Sequence, residues 1–164
     1  MVLIRPYAST DSIPEITSLL HRAYASLLAQ GLRFVATSQD DATTLSRIEY
    51  GYCLIAEEEG RIVGTVTVYR SGLDHPCSYY RRPGLFYFGQ FGVEPSAQGL
   101  GIGRRLLDEV ERYVKSQYGI ELALDTSDQA TELIARYEKW GYRIVDTIDW
   151  PETNYVSVIM SKPL

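Results

Sequence analysis

The chain has 164 residues, 45% of them hydrophobic, and a formal net charge of -5 from 16 basic and 21 acidic side chains. That length suits one compact domain over 1–164 with a sizeable core, and the charge excludes the broad cationic face that nucleic-acid partners need. No apolar run reaches the roughly 18 residues of a membrane span and the first twenty residues lack a signal pattern, so a cytoplasmic protein with neither nucleic-acid nor membrane partners is expected. Cys53 and Cys77 are too few for a disulfide framework, and neither they nor His21 and His75 show metal-ligand spacing, so no metal site is expected.

Val2 to Tyr7 opens the chain as an apolar run. Ser12-Ile13-Pro14-Glu15 has capping-box spacing with proline in the first turn. The helix that follows carries Ile13, Ile16, Leu20, Ala23, Tyr24, Leu27 and Leu28 at three- and four-residue steps and closes near Gly31. A second, shorter helix is predicted over Asp40 to Tyr50. Tyr52 to Glu58 and Arg61 to Tyr69 are β-rich runs separated by Glu59-Gly60, the pattern of an antiparallel hairpin. Arg70 to Gly84 is long for a hairpin loop and reads as either functional or a mobile insertion. Leu85 to Val93 is a dense aromatic strand. Ile102, Leu106, Val110, Tyr113 or Val114, and Gln117 then trace one helix face that ends at Tyr118-Gly119. Glu121 to Asp125 predicts a short strand, Ala130 to Trp140 a helix stopped at Gly141, and Tyr142 to Ile148 and Tyr155 to Met160 two closing strands. This order is α+β, with one parallel crossover from strand 85–93 to strand 121–125.

Between that aromatic strand and the next helix stands Gln98-Gly99-Leu100-Gly101-Ile102-Gly103-Arg104-Arg105. Alternating glycines let a backbone turn sharply and bring successive N–H groups against phosphate oxygens at the positive end of a helix. Alone, they fit an ordinary tight connection equally well. The spacing is neither Gly-x-Gly-x-x-Gly nor the phosphate loop that ends in Gly-Lys-Ser/Thr. Arg104 and Arg105 face an unfavourable helix dipole unless an anion lies nearby, which is consistent with a bound polyphosphate.

Gln98-Gly99-Leu100-Gly101-Ile102-Gly103 resembles the Gln/Arg-x-x-Gly-x-Gly/Ala signature of the GNAT acetyltransferases. Ile4-Arg5-Pro6, Ile62-Val63-Gly64 and Tyr137-Glu138-Lys139-Trp140-Gly141-Tyr142 follow the order of that superfamily, so the likeness spans nearly the whole chain. The resemblance implies a mixed, mostly antiparallel central sheet flanked by helices, with a splayed parallel strand pair opening a cleft for acetyl-CoA. It also implies transfer of the acetyl group to a primary amine by direct attack through a tetrahedral intermediate. Phe91, Gly92, Val93, Gln98, Gly99, Leu100, Gly101, Ile102, Gly103 and Arg104 are the cofactor-binding residues so implied. Pantetheine would pair with the backbone around Phe91 to Val93, and the Val93 region would offer an N–H to the thioester oxygen. Gly89 and Gly92 suit such a strand, although they also suit simple packing of bulky aromatics.

Tyr137 lies on the apolar stripe Leu133, Tyr137, Trp140 and by itself reads as a core tyrosine. In the family a tyrosine at this place often stands near the cofactor sulfur, and a phenol of pKa ~10 can protonate a thiolate of pKa ~8.5, which implies a general acid. Two departures stand out. The family often has Asn in the turn before this helix, where the chain reads Thr126-Ser127-Asp128-Gln129-Ala130, and it often has a base carboxylate in the fourth strand, where the chain has Tyr87. Water, Glu57 or Asp125 remain as routes for the amine proton, and a non-catalytic acyl-CoA-binding module remains as the alternative. The acceptor is expected between 31–37, 70–84 and 149–154. Asp146, Asp149, Glu152 and the rings of Phe34, Tyr79, Tyr80 and Trp150 favour a small cationic amine, whereas Arg33, Arg81 and Arg82 would suit one bearing a carboxylate. The oligomeric state is not readable, a homodimer being open.

Overall fold

A computed structural model describes residues 1–164 as seven strands and four helices. The elements are β1 (Leu3–Pro6), α1 (Ile13–Ala29), α2 (Asp41–Tyr50), β2 (Tyr52–Glu58), β3 (Arg61–Arg70), β4 (Leu85–Val93), α3 (Ile102–Ser116), β5 (Glu121–Ser127), α4 (Thr131–Lys139), β6 (Arg143–Asp149) and β7 (Val156–Pro163). They form one sheet in the order β1-β2-β3-β4-β5-β7-β6, in which β4 and β5 are the parallel pair and every other neighbour is antiparallel.

Local chemistry sets the boundaries. The Ser12 hydroxyl accepts from the Glu15 N–H at 3.3 Å, and the Asp40 carboxylate accepts from the Thr43 N–H at 2.8 Å, so α1 and α2 both start on side-chain caps. Glu59 and Gly60 both have positive φ, the twist that a two-residue hairpin between β2 and β3 requires. β5 and β7 run further than their sequence suggests. Thr126 and Ser127 pair with Val158 and Ser157, and ladder hydrogen bonds outweigh weak polar β-propensity there.

The sheet is covered on both faces. On one, Ile102, Leu106, Val110 and Val114 of α3 pack with Tyr137 of α4 against Val66, Phe86, Leu122 and Met160. On the other, Ile16, Leu19 and Leu20 of α1 meet Ile48 of α2 and Ile55 of β2. The segment 70–84 is no loose excursion: Cys77 and Tyr80 are buried against Leu85, Ala123 and Ile159. β6, the outer edge strand, stays largely exposed.

Two features of β4 position the site. It pairs with β5 only over Leu85 to Tyr87, so the two strands part beyond Tyr87. Its pairing to β3 steps from Thr67↔Gly89 to Thr65↔Gly92, leaving Gln90 and Phe91 opposite one residue of β3. That is a β-bulge, and Gln90 takes φ 46° within it.

Candidate active site

A cavity of about 370 Å³ opens where β4 and β5 diverge. Its walls include Phe91 to Val93, the loop from Gln98 to Arg104 without Leu100, Tyr24 of α1, and Leu133, Arg136, Tyr137 and Trp140 at α4. Gly99 and Gly101 adopt φ 81° and 80°, and open space lies where a Cβ on either would stand. The first intrahelical bond of α3 runs from Arg105 N–H to Gly101, and no side chain caps the helix, so the N–H groups of Ile102, Gly103 and Arg104 are left for a ligand. The Gln98 amide fixes the loop by donating to Val93 O at 3.1 Å. Glu94 gives its N–H to Val63 O in β3; strand alternation therefore turns the Val93 N–H toward the edge that β5 has left. A backbone cradle of free amides, open where side chains would otherwise stand, fits a pyrophosphate.

Tyr137 is buried beside this cavity, and its hydroxyl makes no hydrogen bond within the protein. Burial pushes its pKa well above the usual phenol range, so the group keeps its proton. Leu100 projects outward, 70% exposed, and contributes backbone only.

The two arginines behave differently from the expectation. Arg104 lies over the Trp140 ring and pairs with Asp108 and, at 3.3 Å, with Glu111, so acids one and two turns along α3 already balance it. Arg105 turns away to Val2 O at 2.9 Å. Arg136, which the sequence did not single out, stands at the cavity rim without a carboxylate partner. The roles of Gly89 and Gly92 also differ. A Cβ on Gly92 would stand 3.1 Å from Ala23 and 3.2 Å from Leu20, so this glycine lets α1 approach the sheet, while a Cβ on Gly89 would stand 3.0 Å from Arg47 Nη2.

A second cavity, about 320 Å³, shares Tyr24 with the first. The three segments expected around the acceptor meet here, contributing Phe34, His75, Tyr80, Trp150 and Glu152 among others. Asp125 reaches it from β5, accepting from Tyr80 OH at 3.1 Å and Trp150 Nε1 at 2.9 Å. Burial raises the pKa of this carboxyl, and the two donors oppose the rise. His75 accepts the Cys77 N–H on Nδ1 at 3.0 Å, which leaves the proton of the neutral ring on Nε2, and burial lowers its pKa.

Other expected residues lie elsewhere. Glu57 is held by Arg5 at 2.6 Å between β1 and β2. Arg82 pairs with Glu121, Arg81 donates to His75 O, and neither they nor Arg33 line the cavity. Tyr79 is engaged with Glu121, and Asp146 and Asp149 sit on β6 outside the lining. The cation that does line the cavity is Arg47 of α2. Only the fold reveals it, since in sequence it is one charge on the polar side of a short helix.

The sequence profile described as "Acetyltransferase (GNAT) family" matches residues 14–142. The S-(2-succino)cysteine N-acetyltransferase of Bacillus subtilis (strain 168) is 31% identical over 130 residues, 78% of this chain and 76% of that protein. A GNAT family acetyltransferase from Elizabethkingia anophelis, solved with acetyl-CoA bound, shares the fold with TM-score 0.72 at 19% identity over 99% of this chain and 98% of its own. The PaiA N-acetyltransferase from Thermoplasma acidophilum, in complex with coenzyme A, gives TM-score 0.78 at 16% identity over 100% and 99%.

Proposed function

The chain belongs to the GNAT acetyltransferase family, and from that premise we propose that it moves the acetyl group of acetyl-CoA to a primary amine held in the second cavity. The observation that carries this reading is the junction at Tyr24 of two cavities, one with a phosphate cradle and the other with a partly buried carboxylate. Bound acetyl-CoA supplies an activated thioester.

The chain's own residues do the rest. The amides of Gly99 to Arg104 hold the pyrophosphate, with Arg136 at the rim, while the aromatic wall of Phe91 and Trp140 and the apolar side of Tyr24 exclude water from the acyl end. The Val93 N–H donates to the thioester oxygen, where negative charge develops as the amine attacks. The Tyr137 hydroxyl, kept protonated by burial and free of any protein partner, donates its proton to the leaving sulfur. Desolvation in the same cavity also raises the proton affinity of a thiolate, which offsets the weaker acidity of the buried phenol. Asp125, its pKa raised by burial, receives the amine proton directly or through water. His75 is unsuited to that step, because its Nε2 already carries a proton and acts as a donor.

Release of free thiol from acetyl-CoA over a panel of amines, amino acids, polyamines and peptides tests the reading. Turnover with at least one primary amine is expected. Binding of CoA without thiol release for any acceptor would instead favour a non-catalytic acyl-CoA-binding module.

A further inference from the structure

Three arginines are partly buried, and all but one have a carboxylate partner. Arg5 is held by Asp11 and Glu57, and Arg104 by Asp108 and Glu111. Arg47, partly buried in the acceptor cavity, has none. Its one well-formed hydrogen bond within the protein runs from Nη1 to Gln39 Oε1 at 2.8 Å; the buried Tyr69 hydroxyl lies close enough to feel the charge, and no carboxylate meets Nε or Nη2. A partly buried guanidinium not matched to an anion carries a desolvation cost, and the fork of N–H donors suits a planar carboxylate.

The guanidinium is held in place rather than trailing. The Gln39 amide that holds it also donates to Thr44 Oγ1 at 2.7 Å and to Gln90 Oε1 at 2.5 Å, and both glutamines are buried. Gln90 is the bulge residue of β4, directly before the segment that lines the cofactor cavity. Gly89 leaves the room that Nη2 occupies. The charge acts on the cavity wall: it lowers the proton affinity of Tyr24, Tyr69, Tyr87 and Asp125 against the rise that burial imposes on each. The tyrosine rings of 69 and 87 stack beside it at 5.0 Å and continue into an open groove that also includes Arg47, giving an acceptor's substituent an aromatic wall.

We propose that Arg47, oriented through Gln39 and the β4 bulge, anchors a carboxylate of the acceptor, so that the preferred acceptor is an amino acid or another amine bearing a carboxylate and not a simple cationic amine. This inference rests on the acetyl-transfer reading for its chemistry, but not for its binding site. With Asp125 and Glu152 in the same cavity, a zwitterion finds partners of both signs.

The test compares amino acids with the amines left by their decarboxylation, by kcat/KM from thiol release. Wild type should favour the carboxylate-bearing member of each pair. Arg47→Met, which keeps the apolar stem, should lose about 10- to 100-fold on that member, the range of a charge-assisted hydrogen-bond pair, and change the decarboxylated member by less than about threefold. Gly89→Ala should reproduce a weaker form of the same selective loss, because its Cβ would stand 3.0 Å from Arg47 Nη2 and push the guanidinium from its place. Equal losses on both members of each pair, or a wild-type preference for the decarboxylated amine, would overturn the proposal. Calorimetry of the amino acids on CoA-loaded protein separates it from the catalytic reading. Heat seen with wild type and lost in Arg47→Met upholds the anchor even without turnover, and no heat with wild type refutes it.

Discussion

The two cavities that meet at Tyr24 are assembled in opposite ways. The cavity proposed for the cofactor draws mostly on two stretches close together in sequence, Phe91 to Val93 and Gln98 to Arg104, and offers backbone amides. The cavity proposed for the acceptor draws side chains from α1, α2, β3, β4 and β5 and from the segments around Phe34, His75 and Trp150. A ligand gripped by backbone needs a local conformation, which a short glycine pattern can specify. A ligand gripped by side chains needs several distant segments to converge, and no short motif encodes that.

The sharpest contrast comes from Gly101→Asp. An Asp at this position would bring a negative charge beside the free amides of α3 and repel the phosphate, without the extended backbone that a capping Asp needs. CoA affinity should fall on the order of 100-fold by calorimetry, while acceptor-side binding stays close to wild type and melting temperature drops modestly, because the left-handed φ of 80° strains any residue with a Cβ. Unchanged CoA binding would remove the loop from the cofactor side altogether.

Tyr137→Phe separates chemistry from binding within the same cavity. Loss of the proton donor should lower the transfer rate about ten- to a thousand-fold with CoA affinity nearly unchanged. Melting temperature should hold, since the hydroxyl has no protein partner to lose. Matched losses of stability and rate would make Tyr137 a packing residue.

Asp125→Asn probes the acceptor side through pH. Burial holds the folded-state pKa of Asp125 above the ordinary 3.8, so the folded protein binds this proton more tightly than the unfolded chain. The group's stabilising contribution is thus complete below the unfolded pKa and is lost as pH rises through the folded one. Urea unfolding across pH should show the mutant gaining stability relative to wild type over that window, and its rate profile should lose the acid limb. Asp11, lowered by its hydrogen bonds from Arg5, slopes the other way but is common to both proteins. A stability difference that does not vary with pH would contradict the raised pKa.

Tyr24→Phe should give the smallest effect and the least selective one. The Tyr24 hydroxyl, whose pKa burial pushes up to about 12, donates to Phe91 O at 3.0 Å. Losing it should cost about 1 kcal/mol of stability in urea unfolding and weaken cofactor and acceptor together by a few-fold. An effect confined to one ligand would show that Tyr24 is not their common wall.

The order and type of the elements, the cap at Ser12, the hairpin at Glu59-Gly60 and the glycine loop are all legible in the chain, because each depends on residues within a few positions of one another. Family resemblance added the cleft and Tyr137. Two expectations fared otherwise, one through pairing along a single helix and one through elements that arrive from afar. Arg104 reads as a cation awaiting phosphate, yet Asp108 and Glu111 meet it on α3. Gly89 and Gly92 read as room for a cofactor, and the space at them is taken by Arg47 and by α1. Tyr80, expected among the rings around the acceptor, lines the cavity proposed for it from a place buried against Ala123 and Ile159.

The sequence by itself determined where the backbone turns, which helix faces are apolar and where free amides gather, since these follow from φ preferences, 3.6-residue periodicity and missing Cβ atoms. Only the tertiary structure decided which charges stand alone. Arg47 becomes the unpaired cation of the cavity proposed for the acceptor because the segment leading into α2 docks on the β4 bulge through Gln39 and Gln90, 51 positions apart, and electrostatic pairing depends on distance in space and not along the chain.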